Sequence, residues 1–346
     1  MAYDIYTTRH LAGIIKRTAP VTTFLRDTFF RNVKTFDTEK VLFDVVMGGR
    51  EVAPFVHPVK GGKVISNQGY ETKEYTAPLV SPEMATTADE LMKRAPGEDL
   101  DSELTPTQRG MGQLGEDLSK MDDSITRREE VMCAELLFSG GITVKGEGID
   151  EYIDFGFSNF ETLDTKWSDP ASDPFADIQR WYDEISKNGL VKADIMIMSQ
   201  DVANAFINNP NVKEQLDVKN MDIATIAPKA LKNGARYIGT YPMLGISFYS
   251  YSEYYMDDWT DPANPTLKPY VPDGTVALLS TQANFSRLYG AVTYFDPKTE
   301  KPVTYKGKRV PESFLSSNHR TRTLRLSARP LMVAHELMSW YVGTVL

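Results

Sequence analysis

Few residues in this 346-residue chain have the type and spacing to do chemistry. Gly110-Met111-Gly112-Gln113-Leu114-Gly115 fits G-x-G-x-x-G. In a dinucleotide site those glycines follow a buried strand and let a helix start meet a pyrophosphate. Here Asp99 to Arg109 comes first, polar and broken by Pro106, so the segment reads as a flexible lead-in to a long helix. His335-Glu336 opens an H-E-x-x-H pattern, but the last position is Ser339 and the paired zinc ligands are lost. His10, His57 and His319 are scattered without ligand spacing. No nucleophile elbow, phosphate-binding loop or EF-hand loop is present. Asp257 and Asp258 beside Trp259 offer oxygens for a cation, yet residues 256–274 are rich in Asp, Asn and Pro and read as a solvated loop. The single cysteine, Cys133, lies in the long helix and reads as a small buried residue rather than a nucleophile. The expectation is no catalytic, cofactor or metal site.

Charge leaves one cluster. From Lys298 to Arg329 there are nine basic residues (Lys298, Lys301, Lys306, Lys308, Arg309, Arg320, Arg322, Arg325, Arg329) against Glu300 and Glu312. Such a patch meets phosphates or an acidic partner surface, or pairs with the excess carboxylates of the chain itself. The whole chain carries 38 Lys and Arg against 47 Asp and Glu, a formal net charge of −9. That balance argues against tight, salt-sensitive binding to duplex nucleic acid as the main activity. At 41% hydrophobic and 25% charged residues the composition is ordinary for a soluble globular protein. Collagen-like, largely disordered and purely coiled-coil chains are excluded. The length suits roughly two domains and a core needing no disulfide or metal. One cysteine excludes an intrachain disulfide and points to a reducing compartment. Met1 to Lys16 has no apolar stretch of signal-peptide length, and no run of about 18 apolar residues occurs. These features predict a soluble protein folded in cytoplasm.

The elements follow from periodicity. Residues 1–33 carry Phe24, Leu25, Phe29 and Phe30, with a short amphipathic helix predicted over Val21 to Arg31. This reads as an arm that must bury its aromatics against something else. Val41, Phe43, Val45 and Met47 alternate as in a strand, and Lys63 to Tyr75 returns as a strand polar on both faces. The pair suits a projecting loop that settles on a neighbour. Leu114, Leu118, Met121, Ile125, Met132 and Leu136 keep three-four spacing, with Glu129 the charged exception, and Gly140-Gly141 stops the helix. Met111 to Phe138 would span about 42 Å, a spine rather than a core helix. A hairpin is predicted around Gly146-Glu147-Gly148. Alternating helices and strands follow: helices over Pro174–Asn188 and Gln200–Asn208, strands over Ala193–Met198, within Arg236–Tyr255 and over Thr275–Ser280.

Phe24-Leu25-Arg26, Phe29-Phe30-Arg31, Phe36-Asp37-Thr38-Glu39-Lys40-Val41, Ala53-Pro54-Phe55-Val56-His57-Pro58 and Val80-Ser81-Pro82 resemble the opening of the lambda-like bacteriophage major capsid protein E family. Pro272-Asp273-Gly274-Thr275 and Ser327-Ala328-Arg329-Pro330-Leu331-Met332 are similar to that family too. The order and spacing of these matches carry the resemblance. It implies an α+β, Hong Kong-97-type capsid fold. The expected division is an N-terminal arm (1–33), an extended β-hairpin loop (34–80), a peripheral domain (81–173) with the spine helix at about 111–138, an axial domain (174–320) and a C-terminal return to the peripheral domain (321–346).

The resemblance also implies a major head protein of a tailed phage, not an enzyme, that self-assembles into hexamers and pentamers of an icosahedral shell. Scaffolding, portal and decoration proteins are the implied partners. Packaged double-stranded DNA is expected to be contacted without sequence specificity. No cofactor and no membrane are implied. The place is the virion, after assembly in host cytoplasm. Phe24, Phe29, Phe30, Phe43 and Phe55 are the expected apolar anchors between subunits, because aromatics dominate interface energetics. Arg26, Arg31 and Lys40 are the expected charge partners, joined by Arg320, Arg322 and Arg325 from the basic cluster. Alternation at Thr321 to Arg329 sets Leu324 and Leu326 opposite Arg325, so the partner of Arg325 is expected on another subunit. Two rivals are an encapsulin-like compartment with a protein cargo and a dinucleotide-dependent enzyme built on Gly110 to Gly115.

Overall fold

The computed structural model describes residues 8–15, 21, 23–47, 69–93, 105–146, 148–189, 191–218, 229–231, 233–295, 301–316 and 320–346. The chain opens with helices α1 (Thr8–Ile15) and α2 (Phe24–Thr28), then strands β1 (Asn32–Thr35), β2 (Lys40–Met47), β3 (Gly69–Thr76) and β4 (Glu83–Thr87). Helix α3 (Ala88–Met92) precedes the long helix α4 (Pro106–Ser139). Strands β5 (Gly141–Gly146), β6 (Ile149–Asp154) and β7 (Phe160–Thr162) lead to helix α5 (Pro174–Asn188). Next come β8 (Ile195–Met198), α6 (Gln200–Asn208), α7 (Pro210–Val218), β9 (Lys229–Ala230), β10 (Ala235–Tyr241) and β11 (Ile246–Tyr251). They are followed by β12 (Tyr254–Asp257), β13 (Thr266–Pro269), β14 (Thr275–Leu279), β15 (Phe285–Tyr289) and β16 (Val292–Phe295). The chain closes with β17 (Pro302–Tyr305), β18 (Val310–Leu315), β19 (Thr321–Ser327), β20 (Pro330–Ala334) and β21 (Tyr341–Thr344).

Helix α4 starts five residues before the expected Met111. Pro106 sits in its first turn, where no intrahelical N–H is needed, and Thr105 and Gln108 form a reciprocal capping box. It stops at Gly140, whose φ of 71° is the left-handed cap conformation. Its 34 residues span about 51 Å. The apolar row read from the sequence is buried throughout, but against two different platforms. Leu114, Leu118, Met121 and Ile125 pack with Leu11, Leu324, Leu326 and Ala328, over the sheet β18-β19-β4. Met132, Leu136 and Leu137 enter a larger core with Phe285, Leu331, Val333 and Trp340, over the sheet β1-β15-β20.

Beside these lie a mixed seven-stranded sheet, ordered β7-β21-β14-β8-β11-β10-β9, and the two-stranded ribbons β2–β3, β5–β6, β12–β13 and β16–β17; the large sheet holds the second core. Its centre is covered on both sides, which is why β8 reads as an unbroken apolar run. Ile197, Ala277 and Leu279 face the core shared with α4. Met196, Met198, Val276 and Leu278 face a second core made by α5 and α6 with Trp167, Trp181 and Phe206.

The structure corrects three expectations. The predicted helix over Val21 to Arg31 is one short turn, α2, preceded by Thr23 in extended backbone, a conformation that its β-branched side chain favours. The predicted loop at 256–274 is partly the ribbon β12–β13, held by backbone pairing that its Asp and Pro residues do not advertise. The stretch 321–346 does not return as one unit: β19 and β20 join the two small sheets, whereas β21 lies between β7 and β14 in the large one. Burial of Tyr341 against Trp181, with ring centroids 5.5 Å apart, draws it there.

Candidate assembly surfaces

The aromatic arm is satisfied within its own chain. Phe24 lies 5.6 and 5.5 Å from the rings of Tyr249 and Tyr251, and Phe29 and Phe30 lie 6.4 and 5.1 Å from Phe285. All three are buried. The expectation that these rings need a second subunit is therefore corrected: α2 packs on α4 where the large sheet and the β1-β15-β20 sheet meet.

Two consecutive glutamates of α4 fasten α2. Glu129 is fully buried and receives Arg26 Nη1 at 3.1 Å, Arg309 Nη1 at 2.7 Å and the Tyr289 hydroxyl at 2.9 Å. Burial alone would push its carboxyl up, but Arg309 and Arg26 hold it below the usual range. Glu130 accepts the backbone N–H groups of Leu25 and Arg26, each at 2.8 Å, and the Tyr251 hydroxyl at 3.0 Å. Burial pushes its carboxyl up despite those donors. Arg26, expected as a partner for another subunit, is thus an internal residue.

Phe43 is buried too. It stacks at 5.9 Å on Tyr75 and meets Phe155 and His335, so the base of the β2–β3 ribbon has an apolar inner face. This corrects the expectation of a ribbon polar on both faces: the outward side mixes Lys40, Asp44, Thr72 and Glu74 with exposed Leu42 and Tyr70. His335 lies 2.8 Å from the Asp44 carbonyl oxygen and 2.9 Å from Ser286 Oγ, a bracing role for a residue once weighed as a zinc ligand. Lys40 is exposed and 3.4 Å from Glu74. Arg31 is exposed. Phe55, His57, Lys298, Glu300 and His319 lie outside the described residues.

The basic cluster is largely neutralised from within. Arg325 reaches Glu83 at 2.5 Å and Glu312 at 3.9 Å, which corrects the expected external partner. The antiparallel registers of β19 with β4 and with β18 set Arg325 opposite both acids. Arg309 meets Asp122 and Glu129, Arg329 meets Glu39 at 3.2 Å, and Lys306 meets Asp37 at 3.1 Å. Arg322 donates to Ser313 Oγ at 3.1 Å. The Arg320 carbonyl oxygen accepts the Ala88 N–H.

The chemistry-bearing patterns resolve similarly. Gly110, Gly112 and Gly115 lie inside α4, with no helix start for a pyrophosphate. Asp257 accepts Lys268 Nζ at 2.6 Å and the Thr260 N–H at 3.0 Å; burial opposes its ionisation, yet these donors pull its carboxyl down to about 2. Trp259 lies under Arg128, 3.5 Å from the guanidinium. Cys133 is buried, and burial pushes its thiol well up. Among the described residues no three His, Cys, Asp or Glu converge on a possible metal, and no helix is long and apolar enough to cross a membrane.

The exposed apolar residues instead mark projections that the sequence reading passed over. Met256 and Leu267 are cross-strand partners on one face of β12–β13, both more than half exposed. With Ile149 of β6 and Leu79, Met256 borders a cleft of about 540 Å³ along α4. Tyr254-Tyr255-Met256-Asp257 has no apolar–polar alternation in sequence, so only the structure shows which face of this strand is exposed.

A capping-boxed spine helix, a projecting two-stranded ribbon and a separate mixed sheet together define a Hong Kong-97-type phage capsid subunit. A solved structure described as the putative capsid protein of a prophage of E. coli CFT073 superposes with a TM-score of 0.70 at 20% identity, covering 98% of this chain and 99% of that one. The chain matches the family described as "Phage major capsid protein E" over residues 7–345, and it belongs to that family. It is 28% identical over 341 residues to the major capsid protein of Enterobacteria phage P21 (95% of this chain, 96% of the relative). It is 26% identical over 342 residues to that of Escherichia phage lambda, with the same coverage. The function class is therefore a structural capsid protein of a tailed phage, a virion component, which favours the viral shell over the encapsulin-like rival.

Proposed function

We propose that this chain builds hexamers and pentamers of an icosahedral shell around double-stranded DNA, without catalysis. The observation that supports this reading is a folded subunit that buries its own arm yet leaves apolar side chains exposed on projecting ribbons: Leu42, Tyr70, Met256 and Leu267. Exposed apolar residues grouped on projections suit contacts between copies. Arg31, Lys40, Phe55, Arg320 and Arg322 remain the proposed inter-subunit residues from the sequence reading. Scaffolding, portal and decoration proteins are the partners such a shell requires, DNA is held through its phosphates, and assembly takes place in host cytoplasm. Electron microscopy of the purified, overexpressed chain tests the reading. Closed shells are expected; a chain that remains monomeric at high concentration, alone and with scaffold, refutes it.

A further inference from the structure

The β1-β15-β20 sheet carries cations that the described chain does not neutralise. β1 and β15 run parallel with Val33 opposite Arg287, and Met332 of β20 lies on the other side of Arg287. The Arg287 guanidinium is half-buried between these strands, and its Nε is enclosed without an acceptor. Lys308 is exposed between β17 and β18. Its neighbour Arg309 fixes that turn through Asp122, Thr126 and Glu129. Burial and then Arg287 lower the basicity of Lys308, Arg309 and Arg26 add to the effect, and Glu129 alone opposes it. Arg31, just ahead of β1, is exposed as well.

The described carboxylates that hold the neighbouring Arg26 and Arg309 are already taken. Glu129 serves Arg26 and Arg309, Asp122 serves Arg309, and Asp27 serves Arg26. Among the described residues no acid pairs with Arg287, Lys308 or Arg31. A half-buried guanidinium with no anion is costly, and its planar fork matches a carboxylate in two-point contact.

We propose that Arg287 and Lys308 form an acceptor for a carboxylate side chain supplied by a second copy of this chain. The proposal rests on the self-assembly reading above. A protein carboxylate fits better than a DNA phosphate for three reasons. The chain has acids to spare, including exposed Glu151 and Asp154 on the β5–β6 hairpin. Arg287 is half-buried between strands, which suits one flexible side chain better than a duplex backbone. Duplex binding calls for a continuous basic stripe, and here the adjoining Arg26 and Arg309 are already neutralised.

The test uses particles assembled from a mixture of light and nitrogen-15-labelled chains. A carbodiimide joins carboxylates to lysine amines in contact, and mass spectrometry reads the joined peptides. Lys308 is expected to be linked to an Asp- or Glu-bearing peptide, with mixed-isotope pairs showing that the acid comes from another copy. Arg287→Glu and Lys308→Glu are expected to give folded subunits by circular dichroism, with particle yield down about tenfold or more from like-charge repulsion, whereas Lys308→Arg is expected to keep the yield of the unaltered chain. Linkage only within one chain, no linkage at Lys308, or normal yield from both Glu variants overturns the proposal. Normal empty shells that fail only to retain DNA also overturn it, by assigning these cations to phosphates. Should Arg287→Glu not fold, the cross-link on the unaltered chain still decides. If the unaltered chain forms no particles, the self-assembly reading falls first and this acceptor with it.

Discussion

Replacing Glu129 by Gln should be among the most damaging single changes in this subunit, and replacing its neighbour Glu130 should be mild. Glu129 is fully buried and is the common counter-charge of Arg26 and Arg309, both largely enclosed. The glutamine keeps the shape but leaves two buried guanidinium groups facing a neutral amide. Removing one partner from a buried ion pair costs about 3–5 kcal/mol. At a urea slope of about 3 kcal/mol per molar, the midpoint should fall by about 1 M or more. Among the described residues no cation pairs with Glu130, and its carboxyl is already pushed up by burial, so the neutral amide replaces it at smaller cost. The two also differ in pH response. Glu129 is held below its unfolded value, so its stabilisation is present above the usual glutamate range and is lost as pH falls through the folded value. Glu130 is raised, so its ionised form opposes folding, and its contribution declines as pH rises through the folded value. Urea titrations of the unassembled subunit at several pH values, for both variants, measure this. Equal losses for Glu129→Gln and Glu130→Gln, or a Glu129→Gln loss below about 1 kcal/mol, would refute the reasoning.

Phe30→Ala should destabilise the subunit itself by about 3–5 kcal/mol, seen as lower thermal stability before any assembly step, because the ring is fully buried against Phe285. The Asp257–Lys268 link should persist until pH falls from the usual aspartate range towards about 2, since its folded carboxyl lies near there; amide exchange across β12–β13 as a function of pH reads this. Cys133 should resist thiol reagents in the native subunit and react only after unfolding, because burial disfavours its thiolate.

The sequence alone determined the elements whose signals are local. The α4 row, the Gly140 stop, the helix over Pro174–Asn188 and the absence of paired zinc ligands at His335 all follow from spacing within a few turns. The ordered matches from Phe24 to Met332 gave the family, because sequence order survives where contacts are invisible. Only the tertiary structure decided which charges and rings are free. Glu83 and Arg325 are 242 positions apart and Arg26 and Glu129 are 103 apart, so no periodicity links them. Phe24, Phe29, Phe30 and Phe43 read as unpartnered because their partners, Tyr249, Tyr251, Phe285 and Phe155, lie far along the chain. Burial depends on where distant strands are brought together, and an aromatic arm looks the same in sequence whether it covers its own joint or a neighbour's.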